Sequence, residues 1–236
     1  DSDFVDDSQL SAIKHINIEA LSAAKNSDHL LQPRSFATSY YLYTSGSTGQ
    51  PKGVAIEQTA LSAFLNGASN RLRTAPYNVL SVTTSSFDIS ILEMLLPLYS
   101  GGFVYLANSE EVELGSQVQQ LCIDKAINLI QTTPSRWKSW LSSGLHSLNE
   151  VTLLTGGEAL PSNLANQLNA LSEDVYNCYG PTEATIWSMM SRLPEQHNEI
   201  LIAQSLDNYH HLVVNHQQAL QPIGAKGELV IGGLAL

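Results

Sequence analysis

One short stretch, YLYTSGSTGQPKG (41–53), combines hydroxyl side chains, glycines and a lysine between two apolar segments. Glycines allow backbone N–H groups to turn toward an anion because no Cβ atom obstructs the approach. Hydroxyl groups add hydrogen-bond donors, and the lysine adds a positive charge. The order is not that of a Walker A loop, because Lys52 follows Pro51 and precedes Gly53. The stretch predicts a phosphate-binding loop of another type, with a flexible surface turn as the alternative. The residues of this predicted loop are Thr44, Ser45, Gly46, Ser47, Thr48, Gly49 and Lys52.

Further candidate residues lie in four later stretches. These are SSFDIS (85–90), LLTGGEAL (153–160), NCYGPTEATIW (177–187) and GELVIGG (227–233). Taken alone, each candidate has an ordinary structural explanation: Asp88 is equally consistent with a helix N-cap, and Glu183 with a solvated carboxylate at a helix start. Tyr179 alone would be a core or surface aromatic residue. The seven histidines show no spacing typical of metal ligands.

The elements that must position these residues alternate between strand and helix. Strands are predicted over 37–44, 54–57, 79–84, 102–107, 128–133, 151–155 and 174–179. Helices are predicted over 8–24, 59–73, 89–98 and 116–126, with two more starting at Pro134 and Pro161. This alternation predicts an α/β fold with a helix-covered, mostly parallel sheet.

The pattern changes after residue 186, where EILIA, HHLVVN and GELVIGG read as short strands separated by turn residues. They predict a β-rich C-terminal extension. The expected organisation is therefore a partial N-terminal segment (1–36), an α/β core (37–190) and a β-rich segment (191–236).

Composition excludes several classes of function. The chain has 11 Lys and Arg against 22 Asp and Glu, a net charge of -11, which disfavours binding to nucleic acid. Two cysteines are too few for a disulfide framework and suit a reducing compartment. The most apolar run, ISILEMLLPLY, contains a glutamate and a proline and is too short to cross a membrane. The acidic start does not resemble a signal peptide. We expect a cytoplasmic protein that binds no membrane.

In their order and spacing, the five stretches resemble the core motifs of the adenylate-forming superfamily. The closest resemblance is to the amino-acid adenylation domain of non-ribosomal peptide synthetases. It implies that a substrate carboxylate attacks the α-phosphorus of Mg-ATP, which forms an acyl-adenylate and releases pyrophosphate. The acyl group would then pass to the phosphopantetheine thiol of a carrier domain. Other synthetase domains and a small helper protein are further partners that the resemblance implies.

The resemblance also implies roles for individual residues in ATP binding. Lys52 and the loop before it match the residues that hold the β- and γ-phosphates. Tyr179 matches the ring that stacks on adenine, and Asn177 lies where the adenine amino group is recognised. Thr182 matches a phosphate contact, and Glu183 matches the carboxylate that holds Mg2+. Lys52, Thr182 and Glu183 are thus the expected catalytic residues.

A glycine-rich strand end, Gly156, Gly157 and Glu158, matches the segment along which the nucleotide lies in the superfamily. Such a position agrees with the rule that ligands of open α/β sheets bind beyond the carboxyl ends of the strands. It places the predicted nucleotide next to the predicted strand 151–155.

Asp88 points to the class of acid. In amino-acid-activating members the Asp of this motif pairs with the α-ammonium group, whereas an acyl-CoA or aryl-acid ligase gives no reason for that charge. The residues matching the side-chain pocket are Ile89, Leu92, Gln131, Leu154, Gly156, Cys178, Ile186 and Trp187. Bulky groups dominate and none is charged, so we expect glycine, with alanine as the competitor. The set resembles that of glycine-activating members except at Cys178, where a larger apolar residue is expected.

Parts of the superfamily pattern do not occur in these 236 residues. The hinge and the small C-terminal subdomain with its catalytic lysine are absent, so we expect an incomplete catalytic unit that forms adenylate poorly by itself. Two alternatives stay open: a non-catalytic core that serves only as a docking module, and an acyl-CoA or aryl-acid ligase.

Overall fold

The computed structural model describes residues 37–44, 50–73, 75–194 and 200–236. Across them the strands are β1 (Thr38–Thr44), β2 (Lys52–Glu57), β3 (Asn78–Ser81), β4 (Phe103–Leu106), β5 (Leu129–Thr132), β6 (Thr152–Gly156), β7 (Val175–Tyr179), β8 (Met189–Arg192), β9 (Tyr209–Val214) and β10 (Glu228–Gly233). The α-helices are α1 (Gln58–Arg71), α2 (Ile89–Ser100), α3 (Gly115–Asp124), α4 (Pro134–Ser142) and α5 (Ser162–Leu171). A 3-10 turn spans Thr182–Ala184.

Six strands form one sheet in the order β4-β3-β5-β6-β7-β8. The first five are parallel, and β8 is antiparallel to β7. Every residue of β5 and β6 is buried, as expected for strands covered on both faces. The predicted α/β class with a helix-covered, mostly parallel sheet is therefore confirmed.

Two apolar cores lie on opposite faces of this sheet, because neighbouring strand residues point to opposite sides. Val79 and Leu129 belong to one core, and their neighbours Leu80 and Ile130 belong to the other. Helices α1 and α2 contribute buried residues to the first core, whereas α3, α4 and α5 contribute to the second. The first core also contains the apolar residues predicted to line the substrate pocket, and α2 carries two of them, Ile89 and Leu92.

Two antiparallel strand pairs complete the described fold. Strands β9 and β10 pair with each other, and β1 pairs with β2 in a register that places Thr44 opposite Lys52. The glycine-rich stretch therefore lies between two strands that pair as a β-hairpin, although Ser45–Gly49 themselves lie outside the described residues. Strand β2 contacts the 3-10 turn at Thr182–Ala184. The hairpin thus lies beside the turn that follows β7.

Most predicted elements agree with the structure to within a few residues, but the C-terminal third differs. The strand predicted for EILIA is wrong over residues 200–203, which form no strand. The strand in this region is β8, whose residue Ser191 accepts the backbone N–H groups of Ala203 and Gln204 at its hydroxyl oxygen. These hydrogen bonds to a side chain take the place of the backbone hydrogen bonds that a strand would make. The other two C-terminal strands, β9 and β10, are confirmed.

The strand predicted for 79–84 ends at Ser81, three residues early. The backbone N–H groups of Val82 and Thr83 donate to the Glu93 carboxylate rather than to a neighbouring strand. The helix predicted over 8–24 lies outside the described residues, and the division at 36 and 190 stays a prediction. In the part of the chain that the structure describes, no helix is long and apolar enough to cross a membrane.

Candidate active site

The candidate residues meet at the carboxyl ends of β3, β6 and β7. Asp88 follows β3, Gly157 follows β6, and the 3-10 turn that carries Glu183 follows β7. Parallel strands bring their carboxyl ends to the same edge of a sheet, which is where open α/β folds bind ligands. The fold therefore gathers residues that lie far apart along the chain.

Asp88 is a half-buried carboxylate at the start of α2. Asp88 stands at the N-cap position of α2, but its backbone is already helical (φ -58°, ψ -28°) and its side chain makes no capping hydrogen bond, so capping does not explain the carboxylate. Burial raises the pKa of Asp88, the Thr182 hydroxyl and the Ile89 backbone lower it, and the Glu183 carboxylate raises it further. Among the described residues, no lysine or arginine contributes to this pKa. A cation bound beside Asp88 would therefore favour its ionised form.

The turn that carries Glu183 has an unusual backbone. Thr185 and Ile186 adopt positive φ angles of 51° and 70°. For β-branched residues this conformation costs about 1–3 kcal/mol each and persists only where the surroundings enforce it. The Thr185 hydroxyl donates to the Ala235 carbonyl over 2.7 Å, and the Tyr209 hydroxyl donates to the Ala184 carbonyl over 2.8 Å. The C-terminal strands thus hold the turn, with Glu183 exposed at its tip.

A chain of hydrogen bonds joins three of the predicted pocket residues. The Trp187 indole N–H donates to Gln131 Oε1 over 2.7 Å, and Gln131 Nε2 donates to the Ile89 carbonyl over 3.1 Å. Trp187 is 2% exposed and Gln131 is 1% exposed. The indole ring therefore has one fixed orientation, because both polar groups of the glutamine side chain are engaged in a site without room for rearrangement.

Gly156 lies directly against this indole ring. A Cβ atom at Gly156 would come within 2.7 Å of Trp187 Cη2 and of the Cys178 carbonyl, closer than real Cβ contacts allow. Gly157 follows with a φ of 79°, a conformation that favours glycine. The strand end therefore requires both glycines, and the indole ring fills the space beside the first.

The remaining predicted pocket residues share the same core. They are Leu92, Leu154, Cys178 and Ile186, all buried, with Ile89 partly buried against them. Burial raises the pKa of the Cys178 thiol strongly, so this cysteine packs as an apolar residue rather than acting as a nucleophile. The structure thus places the eight predicted pocket residues in or beside the first core, and their role as a substrate pocket stays a prediction.

A cavity of 430 Å³ lies on one side of the strand end, within the usual size range for small-molecule sites of roughly 300–1,000 Å³. Its lining includes Asn177 and Tyr179, the residues predicted to contact adenine, together with Gly157 and Glu158. Ile200 and Ile202 also line it. Four of the predicted nucleotide contacts therefore share one concave surface.

A second, larger cavity of 800 Å³ lies on the other side of Gly157 and Glu158, and the sequence did not predict it. Thr83, Phe87 and Arg136 are among its lining residues. The Glu158 carboxylate accepts the backbone N–H of Ser135 over 3.2 Å and also bonds the Ser135 hydroxyl. Glu158 therefore stabilises the first turn of α4, in addition to lining both cavities.

The predicted phosphate and metal contacts are described only in part. Thr44 and Lys52 flank the loop, Lys52 is exposed, and β2 contacts the turn that carries Glu183. Within the described ranges, no group of three or more His, Cys, Asp or Glu residues could hold a metal ion. Mg2+ usually binds proteins through one or two carboxylates together with substrate phosphates, so an exposed Glu183 beside this hairpin fits that ion.

The sequence did not predict a role for two residues near the site, Glu93 and Tyr40. Glu93 is a fully buried carboxylate one turn after Ile89, and its signal is a lone acidic residue in an otherwise apolar helix. Tyr40 is partly buried against the first core, and its hydroxyl has no hydrogen-bond partner among the described residues. Burial raises the Tyr40 pKa and the Asp88 carboxylate raises it further, so the phenol stays neutral near Asp88.

Residues 4–236 match the protein family described as AMP-binding enzyme. The chain is 39% identical over 199 residues to a dimodular nonribosomal peptide synthase of Bacillus subtilis, a match that covers 84% of this chain and 8% of that protein. It is 32% identical over 204 residues to gramicidin S synthase 2 of Aneurinibacillus migulanus, a match that covers 84% of this chain and 4% of that protein. The chain thus spans less than a tenth of the length of these relatives.

Among solved structures, the chain is similar to holo-AB3403, a four-domain nonribosomal peptide synthetase bound to AMP and glycine. The two share 39% identity with a TM-score of 0.78, over 84% of this chain and 15% of that one. The N-terminal subdomain of Klebsiella oxytoca NpsA, in complex with 3-hydroxyanthranilyl-AMSN, is similar in fold alone. It is 16% identical with a TM-score of 0.77, over 92% of this chain and 56% of that one.

Proposed function

Because this chain belongs to the AMP-binding enzyme family, we propose that it is the core of an adenylation domain that activates glycine for nonribosomal peptide synthesis. The observation that carries the proposal is the half-buried Asp88 carboxylate, beside a pocket in which the Trp187 indole ring packs against Gly156. The carboxylate suits an α-ammonium group, and the indole leaves little room for a side chain. ATP is the proposed second substrate.

In the proposed reaction, an oxygen of the amino-acid carboxylate attacks the α-phosphorus of ATP. The bond between that phosphorus and the bridging oxygen to the β-phosphate breaks, so the products are aminoacyl-AMP and pyrophosphate. Lys52 and the loop before it hold the β- and γ-phosphates, while Tyr179 and Asn177 hold the adenine. Mg2+ held by Glu183 would supply positive charge to the triphosphate. Positioning and charge stabilisation provide most of the rate in such a reaction.

An amino acid is a better substrate than an aryl or fatty acid because of the charges around Asp88. Burial and the nearby Glu183 carboxylate both disfavour the ionised form of Asp88. An ammonium group would offset both effects, whereas an acid without an ammonium group would leave a buried carboxylate without a cation, which is costly. The alternative of an acyl-CoA or aryl-acid ligase gives no physical reason for this carboxylate.

Glycine is favoured by the contacts of Gly156. The Trp187 ring is held by Gln131, and Gln131 is held by the Ile89 backbone, so the ring cannot easily move aside for a larger substrate. A missing methylene in an apolar pocket discriminates by only about 1–3 kcal/mol, whereas a rigid wall excludes a larger group more strongly. That AB3403 binds AMP and glycine at 39% identity supports the same substrate here. Alanine is the expected competitor.

A phosphopantetheinyl carrier domain is the proposed recipient of the activated glycine. The relatives that this chain matches are peptide synthases, and one similar structure is a four-domain synthetase. The carrier thiol would attack the acyl carbon of the adenylate and displace AMP, forming a thioester.

ATP–pyrophosphate exchange tests the proposal, measured with each proteinogenic amino acid and with benzoic and short fatty acids. The polypeptide should contain these residues within a complete adenylation domain. We expect the fastest exchange with glycine, slower exchange with alanine, and loss of exchange when Mg2+ is chelated. Fastest exchange with a large amino acid contradicts the pocket argument. Exchange only with an acid that lacks an ammonium group indicates a ligase of the other class, and ATP binding without any exchange indicates the non-catalytic docking module.

A further inference from the structure

Glu93 is the most completely buried carboxylate near the site, at 0% exposure in the middle of α2. It accepts four hydrogen bonds from three consecutive residues at the end of β3. The Ser81 hydroxyl donates over 2.9 Å, the Val82 and Thr83 backbone N–H groups over 3.0 and 3.1 Å, and the Thr83 hydroxyl over 2.5 Å. One side chain thus fixes the chain at the point where the strand ends.

These hydrogen bonds close a loop of the chain between the end of β3 and the middle of α2. The chain leaves β3 at Ser81, passes through the loop that ends at Asp88, enters α2 and returns to Ser81 through the Glu93 side chain. Asp88 therefore lies between two points that are tied together. Glu93 stands four residues after Ile89, so its anchor is one helical turn from the residues that face the proposed substrate.

The same helix end is also tied to the pocket wall. The Ile89 carbonyl accepts from Gln131, which in turn holds the Trp187 ring. A shift of α2 along its axis would therefore move Asp88 and also disturb the support of the indole. Residues 82–84 line the 800 Å³ cavity, so the hydrogen bonds of Glu93 also fix part of that surface.

Stability alone does not explain a carboxylate at this place. Burial raises the pKa of Glu93 despite the four donors. Apolar groups of similar volume are often as stable as buried charged groups, so a buried charge is weak evidence for a stabilising role. Four bonds to consecutive residues define geometry more tightly than apolar packing does.

We propose that Glu93 is a positioning residue for amino-acid selection: by holding residues 81–83, it sets the depth at which Asp88 and Ile89 meet the ammonium group and α-carbon of the substrate. This inference rests on the proposed function. In this proposal Glu93 contacts neither the substrate nor ATP. It acts by fixing the position of α2.

Glu93→Gln is the main test, because glutamine has the same shape but only one oxygen for the donors. ATP–pyrophosphate exchange gives KM for glycine, KM for ATP and the ratio of kcat/KM for glycine over alanine. We expect the glycine KM to rise about tenfold and the ratio to fall about tenfold, with the ATP KM within about twofold of the parent. Thr83→Val removes one donor and keeps both backbone bonds, so it should change the same quantities by a smaller factor.

Ser172→Ala is the matched control, because it removes another buried hydroxyl bond, to the Val151 carbonyl at the amino end of β6. It should lower Tm without changing the glycine-to-alanine ratio. If Glu93→Gln and Thr83→Val lower Tm only, or raise the ATP KM as much as the glycine KM, Glu93 has a structural role and the inference fails.

The same assay separates failure of the inference from failure of the proposed function. If exchange in the parent depends on an acid other than glycine, the proposed function is overturned. The role of Glu93 is then still decided by whether Glu93→Gln raises the KM of that acid more than the KM of ATP. A parent that catalyses no acid-dependent exchange overturns both.

Discussion

The proposed amino-acid pocket and the proposed phosphate end of the site are built in different ways. In the pocket, Gln131 and Trp187 are almost fully buried and hydrogen-bonded to each other. At the phosphate end, Lys52 and Glu183 are exposed, and a strained backbone turn presents Glu183. Selection among similar small acids needs rigid walls, whereas a triphosphate can be held by charges in several arrangements. Substitutions in the pocket should therefore alter selectivity, and substitutions at the phosphate end should alter ATP affinity.

The sharpest test of this contrast is Asp88→Asn. If Asp88 pairs with a desolvated ammonium group as proposed, removal of its charge should cost about 2–4 kcal/mol, or roughly a 30- to 1,000-fold loss of kcat/KM for glycine. The ATP KM and Tm should stay close to those of the parent, because the substitution removes a carboxylate whose ionisation burial already disfavours. Exchange kinetics and a thermal melt measure both. An equal loss of ATP affinity would contradict the separation of the two regions.

At the phosphate end, Glu183→Gln should raise the KM for Mg-ATP by roughly 10- to 100-fold, since a bond to a charged group contributes about 1.5–3 kcal/mol. Because Glu183 is exposed, Tm should not change. The glycine-to-alanine ratio should also stay constant, because the pocket walls are untouched. A titration of Mg2+ at fixed ATP is the decisive measurement: an unchanged Mg2+ dependence would remove Glu183 from the proposed metal site.

Within the pocket, Ile89→Ala should shift preference toward alanine by about tenfold, as expected for the loss of a few methylene groups from an apolar wall. Ile91→Ala on the same helix is the control, because Ile91 is also partly buried against the first core but is outside the predicted pocket. Competition of glycine and alanine in the exchange assay measures the shift. Equal shifts in both variants would mean that general loosening of α2, rather than pocket volume, changes the preference.

The smallest expected effect concerns pH and Glu93. Its pKa is raised above the ordinary 4.5 in the folded protein, chiefly by burial. The folded state therefore binds this proton more tightly than the unfolded state, and the stability that protonation contributes is lost as pH rises through the raised pKa. Glu93→Gln has no carboxyl group to deprotonate at this position, so it does not lose this stability as the pH rises. Denaturant unfolding of parent and variant at several pH values above 4.5 should show the variant gaining relative stability with rising pH, and parallel curves would contradict this.

The prediction of the fold from sequence succeeded where the pattern was local. Alternating strands and helices, with Pro134 at the first position of α4, were recognisable because turn residues and periodicity depend on near neighbours. The strand prediction for EILIA was wrong because its apolar pattern is that of a strand, while the backbone N–H groups of Ala203 and Gln204 donate to the Ser191 hydroxyl instead. A bond of that kind depends on tertiary packing and leaves no local pattern.

The sequence by itself determined which chemical groups this protein can offer: a hydroxyl- and glycine-rich loop with Lys52, the Asp88 carboxylate and the acidic turn at Glu183. The resemblance of its motifs supplied their proposed roles. Tertiary structure decided the rest. Gln131 meets Trp187 across 56 residues and Ile89 across 42, and Glu93 reaches back to the end of another element. Distances between groups so far apart along the chain depend on how helices pack against the sheet, and only the folded core defines that packing.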